Sequence, residues 1–143
     1  NHFLDCNVLI MSAAVGDFAP KNVKKEKIKK TNIAPLTLEL LPTEDILQNV
    51  IKFKTKQFVV GFAAESENLT QSALEKLRNK DLDLIVANDI SSPGIGFQSD
   101  SNQVTLIKRN EEIKKLPTLS KVEIAHILLN DIRSSLLGVS SSP

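Results

Sequence analysis

Three short apolar runs, residues 8–11, 57–63 and 82–87, limit this chain to few architectures. Each has the length of a strand. Val8-Leu9-Ile10-Met11 and Leu84-Ile85-Val86-Ala87 do not alternate with polar residues, so each reads as a strand buried on both faces. Helical patterns separate the runs. Leu69, Ala73, Leu74 and Leu77 share one face of a helix ending near Asn79. Upstream, Thr43 is expected to cap a second helix, with Glu44 and Asp45 in its first turn and Ile46, Val50, Ile51 and Phe53 on its apolar face. Buried strands alternating with helices imply an α/β fold, a Rossmann-like, mainly parallel sheet with flanking helices.

The remaining segments add edges to that sheet. Residues 36–40, Leu-Thr-Leu-Glu-Leu, alternate with period two, as a half-exposed strand does. Residues 104–107 and 112–116 flank Asn110-Glu111 and predict a small β-hairpin extension. Ser120 with Glu123 forms a capping box for a last helix. Val122, Ala125, Leu129, Ile132 and Leu136 are its expected apolar face, and Gly138 its C-cap. The expected organisation is a single α/β domain over residues 1–138 and a disordered tail over 139–143.

Composition narrows the function classes. Eighteen basic and 17 acidic residues leave no global field to attract nucleic acid or anionic lipid. With no Trp and no Tyr there is no stacking platform for bases beside the lysines. No apolar stretch approaches the ~18 residues of a membrane span, and a cytoplasmic location is expected. A single cysteine, Cys6, excludes an intrachain disulfide and reads as a small core residue. His126, on the last helix, reads as a partly exposed structural histidine.

The chemistry concentrates where the strands end. Ser12, Ala13, Ala14 and Gly16 allow a ligand close to the backbone after the first strand, and Asp17 follows. In open α/β sheets ligands bind beyond the carboxyl ends of the strands. Right-handed crossovers place Asp17, the residues after Phe62, and Asn88-Asp89 on one rim. Six lysines between residues 21 and 30 suit polyphosphate, although such a run equally suits a solvated loop. No Walker loop and no Gly-x-Gly-x-x-Gly is present, and Gly94-Ile95-Gly96 precedes no helix start.

Five strings occur in register: residues 13–18 (AAVGDF), 26–30 (EKIKK), 61–65 (GFAAE), 83–89 (DLIVAND) and 96–102 (GFQSDSN). In order and spacing they resemble the phosphopantothenoylcysteine synthetases, the phosphopantothenate–cysteine ligases of coenzyme A synthesis. The resemblance runs from about Asn7 to about Leu136 and covers the later part of the family's domain. It implies a Rossmann-like domain with a dimer-forming extension, so residues 21–40 are expected at a subunit contact in a homodimer.

It also implies the reaction. CTP, accompanied by Mg²⁺, converts the carboxylate of 4′-phosphopantothenate to an acyl-cytidylate with release of pyrophosphate. The amine of cysteine then displaces CMP. Carried over by position, Met11, Ser12, Ala13 and Asp17 fall in the nucleotide segment, and Lys27 matches the arm lysine of the second half-reaction, the catalytic candidate. Glu44, Asp45, Ile46 and Leu47 match a CTP-contacting stretch at a helix start, and Phe62, Lys76 and Lys80 match further CTP positions. Without the resemblance, Phe62 reads equally as core, and Lys76 and Lys80 as a solvated helix face. Asn88 and Asp89 are added as rim candidates. No metal ligand is assigned among the side chains.

Departures from the pattern matter. Thr43-Glu44-Asp45 replaces the commoner Asn-Pro-Asp, and Gly16 a common alanine. The family's first segment, with a glycine-rich anion-binding turn, has no counterpart here, so weak or no turnover is expected of this stretch alone. Many bacterial relatives fuse a flavin-dependent decarboxylase ahead of the domain, and no flavin is expected in this segment. The alternative is a nucleotide-binding and dimerisation module without activity of its own.

Overall fold

The computed structural model describes residues 2–13, 15–28, 36–65, 67–90 and 100–138. The strands β1 (Val8–Met11), β4 (Phe58–Glu65), β5 (Leu84–Asp89), β7 (Val104–Lys108) and β8 (Ile113–Lys115) form one sheet in the order β1-β4-β5-β7-β8. β1, β4 and β5 run parallel, while β7 and β8 return antiparallel as a hairpin. The parallel part comes from the three apolar runs. Two short antiparallel pairs lie outside it: β2 (Phe18–Pro20) with β3 (Leu40–Pro42), and β6 (Ser101–Asn102) with β9 (Leu119–Ser120).

Three helices cover the sheet: α1 (Ile46–Ile51), α2 (Leu69–Asn79) and α3 (Lys121–Leu137). Side chains of a strand alternate between faces, and β5 serves two cores in this way. Ile85 and Ala87 pack with Ala73 and Leu77 of α2 and Leu47 of α1. Leu84 and Val86 pack with Ile124, Leu128 and Ile132 of α3. Each buried aliphatic side chain contributes roughly 1.5–3 kcal/mol, so the two-faced strands carry much of the stability. Below the sheet, Asp83 ties the layers together. Its carboxylate accepts from the Val59 amide at 2.8 Å and pairs with Lys54 at 2.7 Å and Arg109 at 3.0 Å.

Four local expectations are corrected. The strand expected over residues 36–40 forms only at Leu40–Pro42, and Leu36 and Leu38 are exposed. Period-two alternation becomes a half-buried strand only where a layer covers one face, and none does so there. Thr43 does not cap α1. Asp45 does, accepting from the Gln48 amide at 2.9 Å, while the Thr43 hydroxyl donates to the Gly16 carbonyl at 2.6 Å. α1 buries Leu47 and rests Val50 and Ile51 on the core, leaving Ile46 exposed, and it ends at Ile51, so Phe53 lies beyond the helix and is exposed.

The fourth correction concerns α3. Its capping box and its Gly138 cap in the left-handed conformation form as expected. Its buried face, however, is Ile124, Leu128, Asp131 and Ile132, with Val122, Leu129 and Leu136 exposed. Two apolar series run along this helix, and a buried Asp131 decides between them. Lys114 of β8 reaches its carboxylate at 3.2 Å, a partner from another element that helical periodicity does not reveal. Cys6 is half-buried against the core as expected, and His126 is exposed. Among the described residues no helix is long and apolar enough to cross a membrane. Ala14, Lys29, Lys30, the Gly94-Ile95-Gly96 loop, residues 96–99 of the fifth string and the tail over 139–143 lie outside the described residues.

Gly61 of β4 leaves no room for a side chain. A Cβ there would stand 2.6 Å from Cδ1 of Leu82, itself fully buried. Gly61→Ala is expected to cost about 1–3 kcal/mol in urea unfolding, as overpacking does. Combined with Leu82→Val, the loss should be clearly less than the sum of the two single losses. Additive losses would show that the Leu82 contact is not the cause.

Candidate active site

The loop leaving β1 bends past small residues, and Thr43 holds it to the segment before α1. The Thr43 hydroxyl bonds to Gly16 O, and the Thr43 amide donates to Asp17 O at 2.9 Å. Between this clamp and the ends of β4 and β5 lies a cavity of about 450 Å³. Met11, Ser12, Ala13, Val15 and Asp17 line it from β1 and its loop, and Thr43, Glu44, Asp45, Ile46 and Leu47 from the start of α1. Phe62, Ala63 and Ala64 of β4, Lys76 and Lys80 of α2, and Asn88 of β5 close it. Segments up to 77 residues apart in sequence thus meet where a parallel sheet offers its crevice.

The structure therefore brings together Met11, Ser12, Ala13, Asp17, Glu44, Asp45, Ile46, Leu47, Phe62, Lys76, Lys80 and Asn88. Phe62 is 42% exposed and so is a cavity residue, not core. Two candidates stand apart. Lys27 lies on the exposed stretch over 21–28 and does not line the cavity. Asp89, the next residue at the end of β5, lines a different cavity with the start of α2 and with β7.

The electrostatics differ from a bare basic wall. Lys76 pairs with Glu65 at 2.6 Å, and Lys80 with Asp45 at 2.8 Å. Both lysines are thus held by carboxylates that an incoming anion must replace as partners. Asp45 cannot offer the start of α1 to a phosphate, since its own side chain caps that turn. The Lys80 hydrogen bond, and then the Gln48 amide, hold the Asp45 carboxyl below its ordinary 3.8 against the opposing effect of burial. The Asn88 side-chain oxygen is buried without a hydrogen-bond partner, the one such atom among the described residues. It is suited to accept from a ligand N–H.

Sequence reasoning missed Thr43 as a wall residue and Glu65 as the partner of Lys76. The signal for Glu65 was its place at the end of the GFAAE string, one strand length from the core. For Thr43 there was none, since its bond to Gly16 spans 27 residues. Among the described residues no three His, Cys, Asp or Glu side chains are grouped as a metal site.

Residues 1–136 match the family model of the DNA/pantothenate metabolism flavoprotein C-terminal domain. The chain belongs to this family. Among its relatives, the coenzyme A biosynthesis bifunctional protein CoaBC of Bacillus subtilis is 42% identical over 126 residues, covering 88% of this chain and 31% of that protein. A cysteine/cysteine sulfinic acid decarboxylase of an unidentified prokaryote is 37% identical over 131 residues, covering 91% of this chain and 36% of that protein. The crystal structure of the C-terminal domain of a CoaBC protein superposes with a TM-score of 0.75 at 35% identity, covering 96% of this chain and 58% of that one. The resemblance to the synthetases and the Rossmann-like sheet both hold. The chain spans about a third of the length of these two relatives.

The Asp45–Lys80 pair gives a pH test of this family member's site. A carboxyl whose folded pKa is depressed contributes stability above its unfolded pKa, and that contribution is lost as pH falls through the folded value. Lys80→Gln is expected to lower stability at pH 7 by about 0.5 kcal/mol, the scale of a partly exposed pair. In urea unfolding the difference should shrink as pH falls below the ordinary 3.8 and through the lowered folded value, as Asp45 takes up its proton. A difference that persists in acid would assign the effect to packing.

Proposed function

We propose that this chain supplies the nucleotide-binding side of a phosphopantothenate–cysteine ligase of coenzyme A biosynthesis, using CTP. One observation carries the reading. A single strand-end cavity gathers eleven of the twelve residues that the resemblance marks for the nucleotide, Lys27 being the exception. The names of the CoaBC relatives place them in the same biosynthesis. The decarboxylase name belongs to a protein of which this chain covers 36%, and the cavity lends it no separate support.

On this reading the carboxylate of 4′-phosphopantothenate attacks the α-phosphorus of CTP and pyrophosphate leaves. The amine of cysteine then attacks the acyl carbon of the acyl-cytidylate, forming the amide and releasing CMP and a proton. Lys76 and Lys80 exchange their carboxylate partners for phosphate oxygens, which offsets the repulsion between anions in the first step. Exchange of partners sets a threshold: only a multiply charged ligand competes with Glu65 and Asp45. Asn88 offers an acceptor to an exocyclic amine of the base. Mg²⁺ bound to the triphosphate would neutralise part of its charge. Flavin has no role in this segment, and its chemistry belongs to the domain that a bifunctional relative adds.

Lys27 lies outside the cavity wall, and its part is to close over the bound acyl-cytidylate. The ribbon of β2 and β3 that frames it exposes Phe18, Leu40 and Leu41, which suits a contact with a second copy in a homodimer. A second reading, a nucleotide-binding and dimerisation module without turnover, is favoured by that same separation of Lys27 from the cavity. The cytoplasm, where such substrates are found, is the matching location.

Pyrophosphate release and CTP binding separate these readings. The ligase reading expects release that requires both CTP and 4′-phosphopantothenate and is lost in Asp17→Asn. Lys76→Gln should weaken CTP binding about tenfold, the scale of one charge-assisted contact. CTP binding without release would favour the module, and a folded sample that binds no CTP would sink both.

A further inference from the structure

The loop that brings Asp17 to the nucleotide cavity has no anchor of its own. Ser12, Ala13, Val15, Gly16 and Asp17 are all exposed, so none of these side chains ties it to the core. Among the described residues, the hydrogen bonds that reach Gly16 and Asp17 from another segment both come from Thr43. Its hydroxyl donates to the Gly16 carbonyl at 2.6 Å, and its amide to the Asp17 carbonyl at 2.9 Å. The far side of this joint is fixed. Directly after Thr43, Asp45 caps α1 and pairs with Lys80 of α2 at 2.8 Å, and Leu47 is buried in the core.

The two bonds differ in what they require of the sequence. The amide bond continues the β2–β3 ladder, in which Phe18 pairs with Pro42, and any residue except proline could supply it. The hydroxyl bond falls beyond the ladder, on the loop itself, and needs a short side chain with a donor. It also fixes a distance. A methyl group in place of the hydroxyl could not come within 2.6 Å of a carbonyl oxygen, since non-bonded contacts of carbon settle at roughly 3.5 Å.

We infer that Thr43 is a positioning residue for the nucleotide: its hydroxyl sets how far the Asp17 loop stands from the start of α1, and so the width of the cavity that the ligand enters. The inference rests on the nucleotide reading proposed above. Thr43 needs no contact with the ligand for this role, because it acts through Asp17 and the small residues before it. The segment that carries Lys27 leaves the same joint through β2 and returns to it through β3, so the hydroxyl also fixes where that arm begins and ends.

The test compares the wild-type chain with Thr43→Val, which keeps the shape and loses the donor, and Thr43→Ser, which keeps the donor. In the ligand-free, ¹⁵N-labelled chain, the amide signals of Val15, Gly16 and Asp17 are expected to move in Thr43→Val and to stay near their wild-type positions in Thr43→Ser. CTP binding, measured by calorimetry, should weaken at least about fivefold in Thr43→Val and return to within about twofold of wild type in Thr43→Ser. Loop signals unmoved in Thr43→Val overturn the inference whatever CTP does. So does a Thr43→Val chain whose loop moves but which binds CTP as the wild type does. Binding as weak in Thr43→Ser as in Thr43→Val overturns the role given to the hydroxyl. A wild-type chain that binds no CTP overturns the nucleotide reading instead, and the loop signals then decide by themselves whether Thr43 positions the loop.

Discussion

Burial of β4 and β5 on both faces is the constraint on which the rest of this molecule depends. Val59 faces α1 and α2 while Val60 faces α3, and along β5 Ile85 and Leu84 divide in the same way. Because the side-chain period is two, a slip of one residue would reverse every assignment to the two cores. The register Val60↔Leu84 and Gly61↔Ile85 therefore sets where the strands end. Those ends place Phe62, Ala63 and Ala64 beside Asn88 and open the cavity between them.

Asn88 lines the strand-end cavity and Asp89 the second one, so adjacent polar residues at the end of a single strand serve different cavities. At the other end of these strands, charge does structural work instead. Asp81 and Asp83 meet Lys54 and Arg109 there. Burial opposes the charge of Asp81, yet the Arg109 hydrogen bond and the nearby Lys54 and Arg109 charges hold its carboxyl below the ordinary range. One edge of the sheet is thus closed by satisfied ion pairs, and the other keeps the Asn88 oxygen buried without a hydrogen-bond partner.

Much of the fold was legible because it rests on local patterns. The apolar runs at 8–11 and 82–87, the hairpin about Asn110-Glu111 and the Ser120–Glu123 capping box each depend on residues near one another in sequence. The errors have a different origin. Thr43 looked like a cap because a threonine before two acids suits one, but a carbonyl 27 residues away claimed its hydroxyl. The face of α3 was misread because Lys114 of another strand stabilises Asp131 inside the core. Lys76 and Lys80 by spacing alone read as a solvated helix face, whereas Glu65 and Asp45 pair with them. In each case a long-range polar partner changed what the local pattern meant.

The sequence by itself determined the alternation of buried strands and helices, the end of the sheet at which the cavity opens, and the family, since these follow from residue type and spacing. Only the tertiary structure decided which polar groups meet: that Asp45 caps α1 while pairing with Lys80, that Lys27 stands apart, and that Asn88 and Asp89 face different cavities. The physical reason is one of range. Hydrophobic periodicity is expressed along a single element, whereas a hydrogen bond or ion pair depends on which elements the shared core has already brought within about 3 Å of each other.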